Sequence, residues 1–213
     1  MDNFFWGSST SSHQVEGNNK NDWTEWEKKN AERLAHQAQF KFGDLPSWKD
    51  IKTHAQNPQN YISGTACDHY NRFAEDFNLA RDMHHNAYRF SIEWSRVEPE
   101  EGKFAEKEIE HYRQVIKALR ERNMEPFVTL WHWPIPLWLR DKGGWLNKDV
   151  IKYLSRYTKK ITETLGEDIK YWLTINEPMV YASMSYLLGD WPPQKKNFFS
   201  YLKVLRHLAS AHS

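Results

Sequence analysis

Four short apolar segments separated by amphipathic helical patterns constrain the fold of this chain more than any other sequence feature. The segments are almost continuously apolar or β-prone, as strands covered on both faces are, and they span residues 4–9, 87–92, 124–130 and 171–176. Apolar residues recur at helical spacing over residues 70–83, 106–123 and 150–165, and from 198 onward. This βα order, with the later strands about 40 residues apart, predicts an α/β fold with a parallel sheet and crossover helices.

The remaining long segment follows the first strand. Residues 18–65 are rich in Trp, Asn and Gln and show no sustained period, so we expect an insertion of loops and short helices. Asp68 is expected to be the N-cap of the next helix. No linker or low-complexity tract divides the chain, and we interpret residues 1–213 as one unit.

Composition narrows the class of protein. With 29 Lys and Arg against 28 Asp and Glu, the near-neutral chain has no basic surface for nucleic acid. Its 11 Trp, 10 Tyr and 11 Phe suit a large core and also a sugar-binding cleft. The single Cys67 excludes an internal disulfide framework and fits a reducing compartment. Without a signal-peptide pattern or a span-length apolar window, we expect a cytoplasmic protein that does not bind membranes.

Polar residues mixed with tryptophan follow all four predicted strands. The strands lead into GSSTSSHQVEG, RFSIEWSR, LWHWPIP and INEP, whereas the opposite strand ends are ordinary surface turns. Because ligands bind at the carboxyl ends of parallel strands, this asymmetry predicts one composite site. Glu177 would point into that site, while Pro178 would end strand pairing.

Six ordered blocks of sequence resemble a known family. The blocks are SSTSSHQVEG, NDWTEWE, ACDHY, YRFSIEWSRVEPEEGKF, LWHWPIPLWL followed by GGWLN, and LTINEP. They are similar to the signature blocks of glycoside hydrolase family one, which contains retaining β-glucosidases, β-galactosidases and 6-phospho-β-glycosidases. The resemblance extends to the C-terminal LKVLRHLASAHS and therefore covers the whole chain.

The resemblance implies a (β/α)8 barrel, also called a TIM barrel, that hydrolyses terminal β-D-glycosidic bonds by double displacement. Its substrate would be a small β-glycoside or oligosaccharide, without metal or cofactor. Carried over by motif position, the catalytic residues would be Glu177 as general acid/base, Arg89 beneath the nucleophile and Asn176 at the sugar 2-hydroxyl. The substrate-binding residues would be Gln14, His132, Trp133 and Asn176.

These residue types suit that chemistry. The leaving oxygen needs a proton, so the acid must be protonated before the reaction and ionised after it. Asn supplies a neutral donor and acceptor at the 2-hydroxyl, and Gln and His each offer both functions to sugar hydroxyls.

Structural interpretations of the same residues remain open. Glu177 is alternatively a solvated residue or a helix cap, His132 a core histidine, Gln14 a helix cap, and Arg89 an ion-pair partner of Glu93 or of another acid inside the barrel. We expect structural roles for several further residues: packing for Trp94 and Trp131, and loop hydrogen bonding for Glu16, Asp22 and Glu93.

One half of the family mechanism is absent from these 213 residues. Retention needs a second carboxylate about 5 to 5.5 Å from the first. The family takes this nucleophile from a TENG-type block on the seventh strand, and no such block occurs here. Eight strands and at least about 200 to 250 residues complete such a barrel, whereas four predicted strands already occupy this chain.

We therefore expect the N-terminal half of the barrel, inactive in isolation and able to self-associate through its two exposed strand edges. The alternative is a non-catalytic carbohydrate-binding or assembly protein built on this half-barrel. A continuation that carries TENG would favour the enzyme, and a stable sugar-binding oligomer would favour the binder.

Overall fold

A single four-stranded parallel sheet organises the computed structural model, which describes residues 4–213. The strands are β1 (Gly7–Ser9), β2 (Ala87–Ser91), β3 (Glu125–Trp131) and β4 (Tyr171–Ile175). Their order in the sheet is their order in the chain. In register, Ser9 lies beside Arg89, Arg89 beside Phe127, and Phe127 beside Tyr171. All four carboxyl ends therefore meet at one edge, and the predicted parallel βα arrangement is confirmed.

Ten α-helices lie within the part of the chain that the structure describes. They are α1 (Ser12–Val15), α2 (Asp22–Phe42), α3 (Trp48–Ala55), α4 (His69–Asp82), α5 (Trp94–Val97), α6 (Glu106–Arg120), α7 (Leu137–Asp141), α8 (Val150–Leu165), α9 (Pro178–Ala182) and α10 (Phe198–His212). A π-helical turn, Ser183–Leu188, continues α9. Short 3-10 turns occur at Pro58–Tyr61, Gly144–Leu146 and Gly166–Asp168. Within residues 4–213, no helix combines the length and the apolar character needed to cross a membrane.

The expectation of loops and short helices over residues 18–65 is wrong for α2, which is 21 residues long. This helix begins at a capping box in which the Asn21 side chain accepts from the Thr24 backbone N–H and Thr24 accepts from the Asn21 N–H. The buried residues of its first turns are polar, and those further along the helix are the small residues Ala31, Ala35 and Ala38. Alanine contributes little to a hydropathy pattern, so the helical period is inconspicuous in the sequence.

Strand β1 is shorter than predicted because the Asn86 side chain, and not a neighbouring strand, bonds to the backbone of residues 4 and 6. The Asn86 side chain accepts from the Trp6 N–H at 2.7 Å and donates to the Phe4 carbonyl at 2.9 Å. Residues 4–6 therefore precede the strand, and Phe4, Phe5 and Trp6 remain exposed. The expected Asp68 cap is correct in position only: Asp68 has φ +56° and its carboxylate accepts from the Asn71 side chain instead of the helix backbone.

The hydrophobic core lies between the sheet and helices α4, α6, α8 and α10. Fully buried side chains from both layers include Phe77, Ile116, Leu119, Val128, Leu154, Ile161 and Val204. Trp94 stacks on Tyr157 with ring centres 4.9 Å apart, and Trp131 is also buried, so their predicted packing roles are confirmed. The outer face of the sheet is therefore closed.

The opposite face of the sheet and its two edges are open among the described residues. Phe5 and Tyr171 are 43% and 39% exposed, and both rings lie against Phe127 on this face. Beside β4, a cavity of about 440 Å³ is lined mainly by apolar residues of β4, α9 and α10, among them Ile175, Met179, Leu205 and Leu208. The sheet thus presents apolar surface on the side where further strands would pack.

Candidate functional site

A hydrogen-bonded chain of three side chains crosses the open face of β2, β3 and β4. The Arg89 guanidinium donates from Nε to Thr129 Oγ1 at 2.9 Å and from Nη2 to Asn176 Oδ1 at 2.6 Å. Thr129 and Asn176 are buried, and Arg89 is half-buried. The three strands thereby bring Arg89 and Asn176 together, although residues 89 and 176 are far apart in the sequence.

Glu177 lies immediately after this chain, where β4 gives way to α9. Its backbone is left-handed, with φ +43°, and its carbonyl accepts from the Tyr181 N–H at 3.1 Å as the helix starts. Pro178 occupies the first helical position, where its lack of an N–H costs nothing. The prediction that Pro178 ends strand pairing is confirmed, and the Glu177 side chain is left exposed at the strand end.

Glu177 and Arg89 interact electrostatically. Burial lowers the pKa of the Arg89 guanidinium, and the negative charge of Glu177 partly opposes that effect. Arg89 does not pair with Glu93, since the carboxylate of Glu93 accepts from Ser12, Asn21 and Ser95. The structural interpretation of Arg89 as a partner of Glu93 is therefore wrong.

His132 and Trp133 follow β3 at the same edge. Burial, together with the nearby positive charge of Arg89, lowers the pKa of His132 to about 4. Its Nδ1 atom is buried without a hydrogen-bond partner among residues 4–213. The neutral ring therefore has a nitrogen whose hydrogen-bonding capacity is unused.

The Trp133 side chain makes a hydrogen bond and aromatic contacts within the protein. Its Nε1–H donates to the Asn176 carbonyl at 3.1 Å, and its ring contacts Trp23 and Trp191 with centres 6.0 and 4.6 Å away. Its backbone has φ +84°, unusual for a residue that is not glycine. Trp133 thus joins the ends of β3 and β4.

Gln14 lies in α1 with an exposed side chain. Two hydrogen bonds of Ser12 hold this short helix against the end of β2. The Ser12 N–H donates to Ser91 Oγ at 2.8 Å, and the Ser12 hydroxyl donates to Glu93 Oε2 at 2.9 Å. No side-chain hydrogen bond joins Gln14 to the other candidates within the described part of the chain. Gln14 therefore lies at the predicted edge but outside the Arg89–Asn176–Trp133 network.

Buried acids surround the ends of β1 and β2. Glu16 accepts from Tyr112 Oη at 2.7 Å and Arg96 Nε at 3.0 Å, and Asp22 Oδ1 accepts from the Ile135 N–H at 2.8 Å. Burial raises the pKa of Glu16 to about 7, against the opposing charge of Arg96. Burial also raises the pKa of Asp22 to about 7, against the bond from Ile135. The expected loop hydrogen bonding of Glu16, Asp22 and Glu93 is confirmed.

Three residues of this region were missed by the sequence reasoning. Thr129 is an isolated hydroxyl in the apolar run FVTLW, and that interruption was an available signal. Trp23 and Trp191 pack with Trp133 from segments before β2 and after α9, and no local pattern predicts that meeting.

The profile described as Glycosyl hydrolase family 1 matches residues 1–213. Among characterised relatives, 1,4-beta-D-glucan glucohydrolase of Thermotoga neapolitana is 34% identical over 212 residues, covering 99% of this chain and 45% of the relative. Beta-glucosidase A of Thermotoga maritima is 33% identical over 212 residues, covering 99% and 43%. The chain thus spans less than half the length of the curated relatives it matches.

Solved structures of similar proteins are likewise matched over less than half of their length. A beta-glycosidase from Pyrococcus horikoshii superimposes with a TM-score of 0.80 at 41% identity, covering 98% of this chain and 43% of that one. Beta-glucosidase from Thermotoga maritima in complex with methoxycarbonyl-substituted glucoimidazole superimposes with a TM-score of 0.80 at 30% identity, covering 100% and 45%. The predicted α/β half-barrel of the TIM-barrel class is confirmed by these neighbours.

Proposed function

Because the chain belongs to glycosyl hydrolase family 1, we propose that it carries the acid/base half of the active site of a retaining β-glucosidase-like enzyme. The observation that carries this proposal is the bond from Arg89 to Asn176 beside Glu177, which assembles three chemically suited groups from two strands. Its substrate would be a small β-glycoside or oligosaccharide, bound at the carboxyl edge of the sheet.

Glu177 is the proposed general acid/base. In the first step its carboxylic acid gives a proton to the leaving glycosidic oxygen as the bond from that oxygen to the anomeric carbon breaks. In the second step the resulting carboxylate takes a proton from water, which attacks the glycosyl intermediate. Exposure of Glu177 on the open face supports this role, since its side chain is accessible to a substrate.

Asn176 and Arg89 are proposed to act beside the acid. The Asn176 Oδ1 atom already accepts from Arg89, which fixes the amide so that its NH2 group is directed elsewhere and is available to the sugar 2-hydroxyl. That contact strengthens in the oxocarbenium-like transition state. The Arg89 positive charge would lie under the nucleophilic carboxylate and favour its ionised form.

Gln14 and His132 are the proposed ligands of the outer sugar hydroxyls, with Trp133 beside them. A pKa of about 4 keeps the His132 ring neutral near pH 7, so one ring nitrogen donates and the other accepts. Its unpartnered Nδ1 and the exposed Gln14 amide support binding, because both retain hydrogen-bonding capacity.

The nucleophile is proposed to come from sequence outside these 213 residues. Double displacement needs a second carboxylate about 5 to 5.5 Å from Glu177. The isolated chain would therefore be inactive and would associate through the edges of β1 and β4 and the open apolar face. We place the protein in the cytoplasm, which the exposed free Cys67 supports.

Hydrolysis of a chromogenic β-glucoside tests this proposal. The 213-residue chain should release no aglycone above buffer. Joined after Ser213 to the unmatched part of Thermotoga maritima Beta-glucosidase A, it should gain turnover. The His132→Ala form of that hybrid should show an increased KM. Turnover by the isolated chain that Glu177→Gln abolishes would contradict the assignment of the nucleophile to another segment.

Sedimentation tests the predicted association. We expect the isolated chain to form dimers or larger species because its strand edges and apolar face are open. A monomer with a sharp, reversible thermal transition would contradict this prediction. A stable oligomer that binds glucose derivatives, without turnover in the hybrid, would favour the non-catalytic carbohydrate-binding alternative.

A further inference from the structure

Two residues with left-handed backbone lie at the ends of β3 and β4. Trp133 has φ +84° and Glu177 has φ +43°. For residues other than glycine such conformations are strained and persist where surrounding contacts impose them. The contacts that hold Glu177 in this conformation therefore determine where its carboxylate points.

Asn176, the residue that precedes Glu177, is held through both its backbone N–H and its backbone carbonyl. The Asn176 N–H donates to the Trp131 carbonyl at 3.0 Å, and the Asn176 carbonyl accepts from Trp133 Nε1 at 3.1 Å. That carbonyl belongs to the peptide unit joining Asn176 to Glu177. The indole bond therefore restricts rotation about both the ψ angle of Asn176 and the φ angle of Glu177.

Trp133 is itself held by the start of α2. The Asp22 N–H donates to the Ile135 carbonyl at 3.1 Å, while Asp22 Oδ1 accepts from the Ile135 N–H at 2.8 Å. This two-way pairing fixes the backbone two residues after Trp133. The Trp23 ring, next in the chain, stacks nearly parallel to Trp133, with an interplanar angle of 17°.

We propose that Trp133 is a positioning residue for Glu177, acting through the Asn176 carbonyl, and that Asp22 positions Trp133 through Ile135. The functional meaning of Glu177 rests on the proposed function, but the geometric coupling does not. It assigns the Trp133 N–H to the protein itself, in place of the sugar contact that the family resemblance implies. It also assigns a role to α2, because the start of this helix then determines the backbone conformation at the end of β4.

Nuclear magnetic resonance of the 213-residue chain tests the coupling without requiring activity. Trp133→Phe removes the indole donor and keeps an aromatic ring. We expect the three-bond HN–Hα coupling and the ¹³Cα shift of Glu177 to lose their left-handed signature. In Asp22→Ala, the Trp133 indole proton should exchange with solvent about tenfold faster, as expected for loss of a stabilising hydrogen bond.

Two further variants separate positioning from general stability. Asp22→Asn retains an oxygen acceptor for Ile135 and should restore the Glu177 signals and the slow indole exchange. Glu25→Ala changes another acid in the first turn of α2, whose side chain makes no hydrogen bond within residues 4–213, and should leave both signals unchanged.

Unchanged Glu177 couplings and shifts in a folded Trp133→Phe chain would overturn the proposal. If Trp133→Phe does not fold, the comparison of Asp22→Ala with Asp22→Asn replaces it. Identical Glu177 signals in Asp22→Ala and the unmodified chain would then overturn the proposal. If Glu177→Gln did not change hydrolysis by the hybrid, the proposed function would be contradicted. The coupling between Trp133 and Glu177 would not be affected by that result, because the spectra test it separately.

Discussion

Two sets of polar groups at the carboxyl edge of the sheet, the Glu93 carboxylate on one side and His132 with Glu177 on the other, differ in how completely their hydrogen bonds are satisfied. Around β1 and β2, the buried Glu93 carboxylate accepts from Ser12, Asn21 and Ser95, all within 3.1 Å. Around β3 and β4, His132 Nδ1 lacks a partner within residues 4–213 and the Glu177 side chain is exposed.

This difference distinguishes a supporting region from a region that can bind. A buried charge is tolerated when hydrogen bonds replace its hydration, so the Glu93 network holds loops in place and has no capacity left for a ligand. Unsatisfied or exposed polar groups retain that capacity. The Glu93 network therefore positions α1 and α2, whereas His132 and Glu177 keep groups free for the proposed substrate.

Removing Glu93 should produce the largest change. Glu93→Ala leaves three buried donors without their acceptor, and each such group costs about 1–3 kcal/mol. We expect the free energy of unfolding, measured by urea titration, to fall by about 3 kcal/mol or more.

Glu177→Gln is the matched control in the other region. Its side chain is exposed and makes no hydrogen bond within the described residues, so the free energy of unfolding should change by less than about 0.5 kcal/mol. Equal destabilisation by the two variants would remove the distinction between the regions.

A pH titration of stability should show the next largest effect, through Asp22. Its pKa is raised to about 7 by burial, with the charges of His13 and Glu93 acting in opposite directions. The folded chain therefore holds this proton more tightly than the unfolded chain. The stabilisation of the folded chain by this proton is fully present below pH 3.8 and is lost as pH rises through about 7. The free energy of unfolding should fall by up to about 1.4 kcal/mol per pH unit in that range.

Asp22→Asn cannot ionise and retains the acceptor for Ile135. Measured by urea unfolding, its stability relative to the unmodified chain should therefore increase between pH 4 and pH 8. A constant difference between the two proteins across this range would contradict the buried, proton-binding state of Asp22.

Two histidines at the same edge should titrate differently, which gives the smallest but most local test. Burial lowers the pKa of His132 to about 4. Burial acts in the same direction on His13, but its 2.8 Å bond to Glu27 and that carboxylate's charge raise its pKa above 6.5. Imidazole ¹⁵N shifts between pH 8 and pH 5 should change for His13 and stay constant for His132. A common titration midpoint would refute the contrast.

The sequence predicted the features that depend on local pattern. The apolar stripe of α8 gave its bounds, residues 150–165, and the β-prone runs placed β2, β3 and β4 within two residues at each end. The residue types after each strand placed the candidate site at the carboxyl edge, where Arg89, Asn176 and Glu177 come together in the fold. These features follow from side-chain periodicity and turn chemistry, which act over a few residues.

Features that depend on distant contacts were not predictable in this way. The alanine stripe of α2 becomes a buried face only when the segment around Pro58–Tyr61 packs against it. The left-handed backbone of Trp133 and Glu177 has no glycine signal, and the bond between Trp133 and Asn176 joins residues from two strand ends. Such interactions exist only after the sheet has formed.

The leaving-group dependence of hydrolysis tests most directly whether Glu177 is the proton donor. In the hybrid with the unmatched part of Thermotoga maritima Beta-glucosidase A, kcat/KM would be measured for a phenyl and a 2,4-dinitrophenyl β-glucoside. Proton transfer contributes about 10²–10⁴-fold to such reactions. Glu177→Gln should therefore lower the glycosylation step by about that factor for the phenyl glucoside and far less for the activated one, whose leaving group needs no proton. Equal losses for both substrates, or no loss for either, would contradict the account.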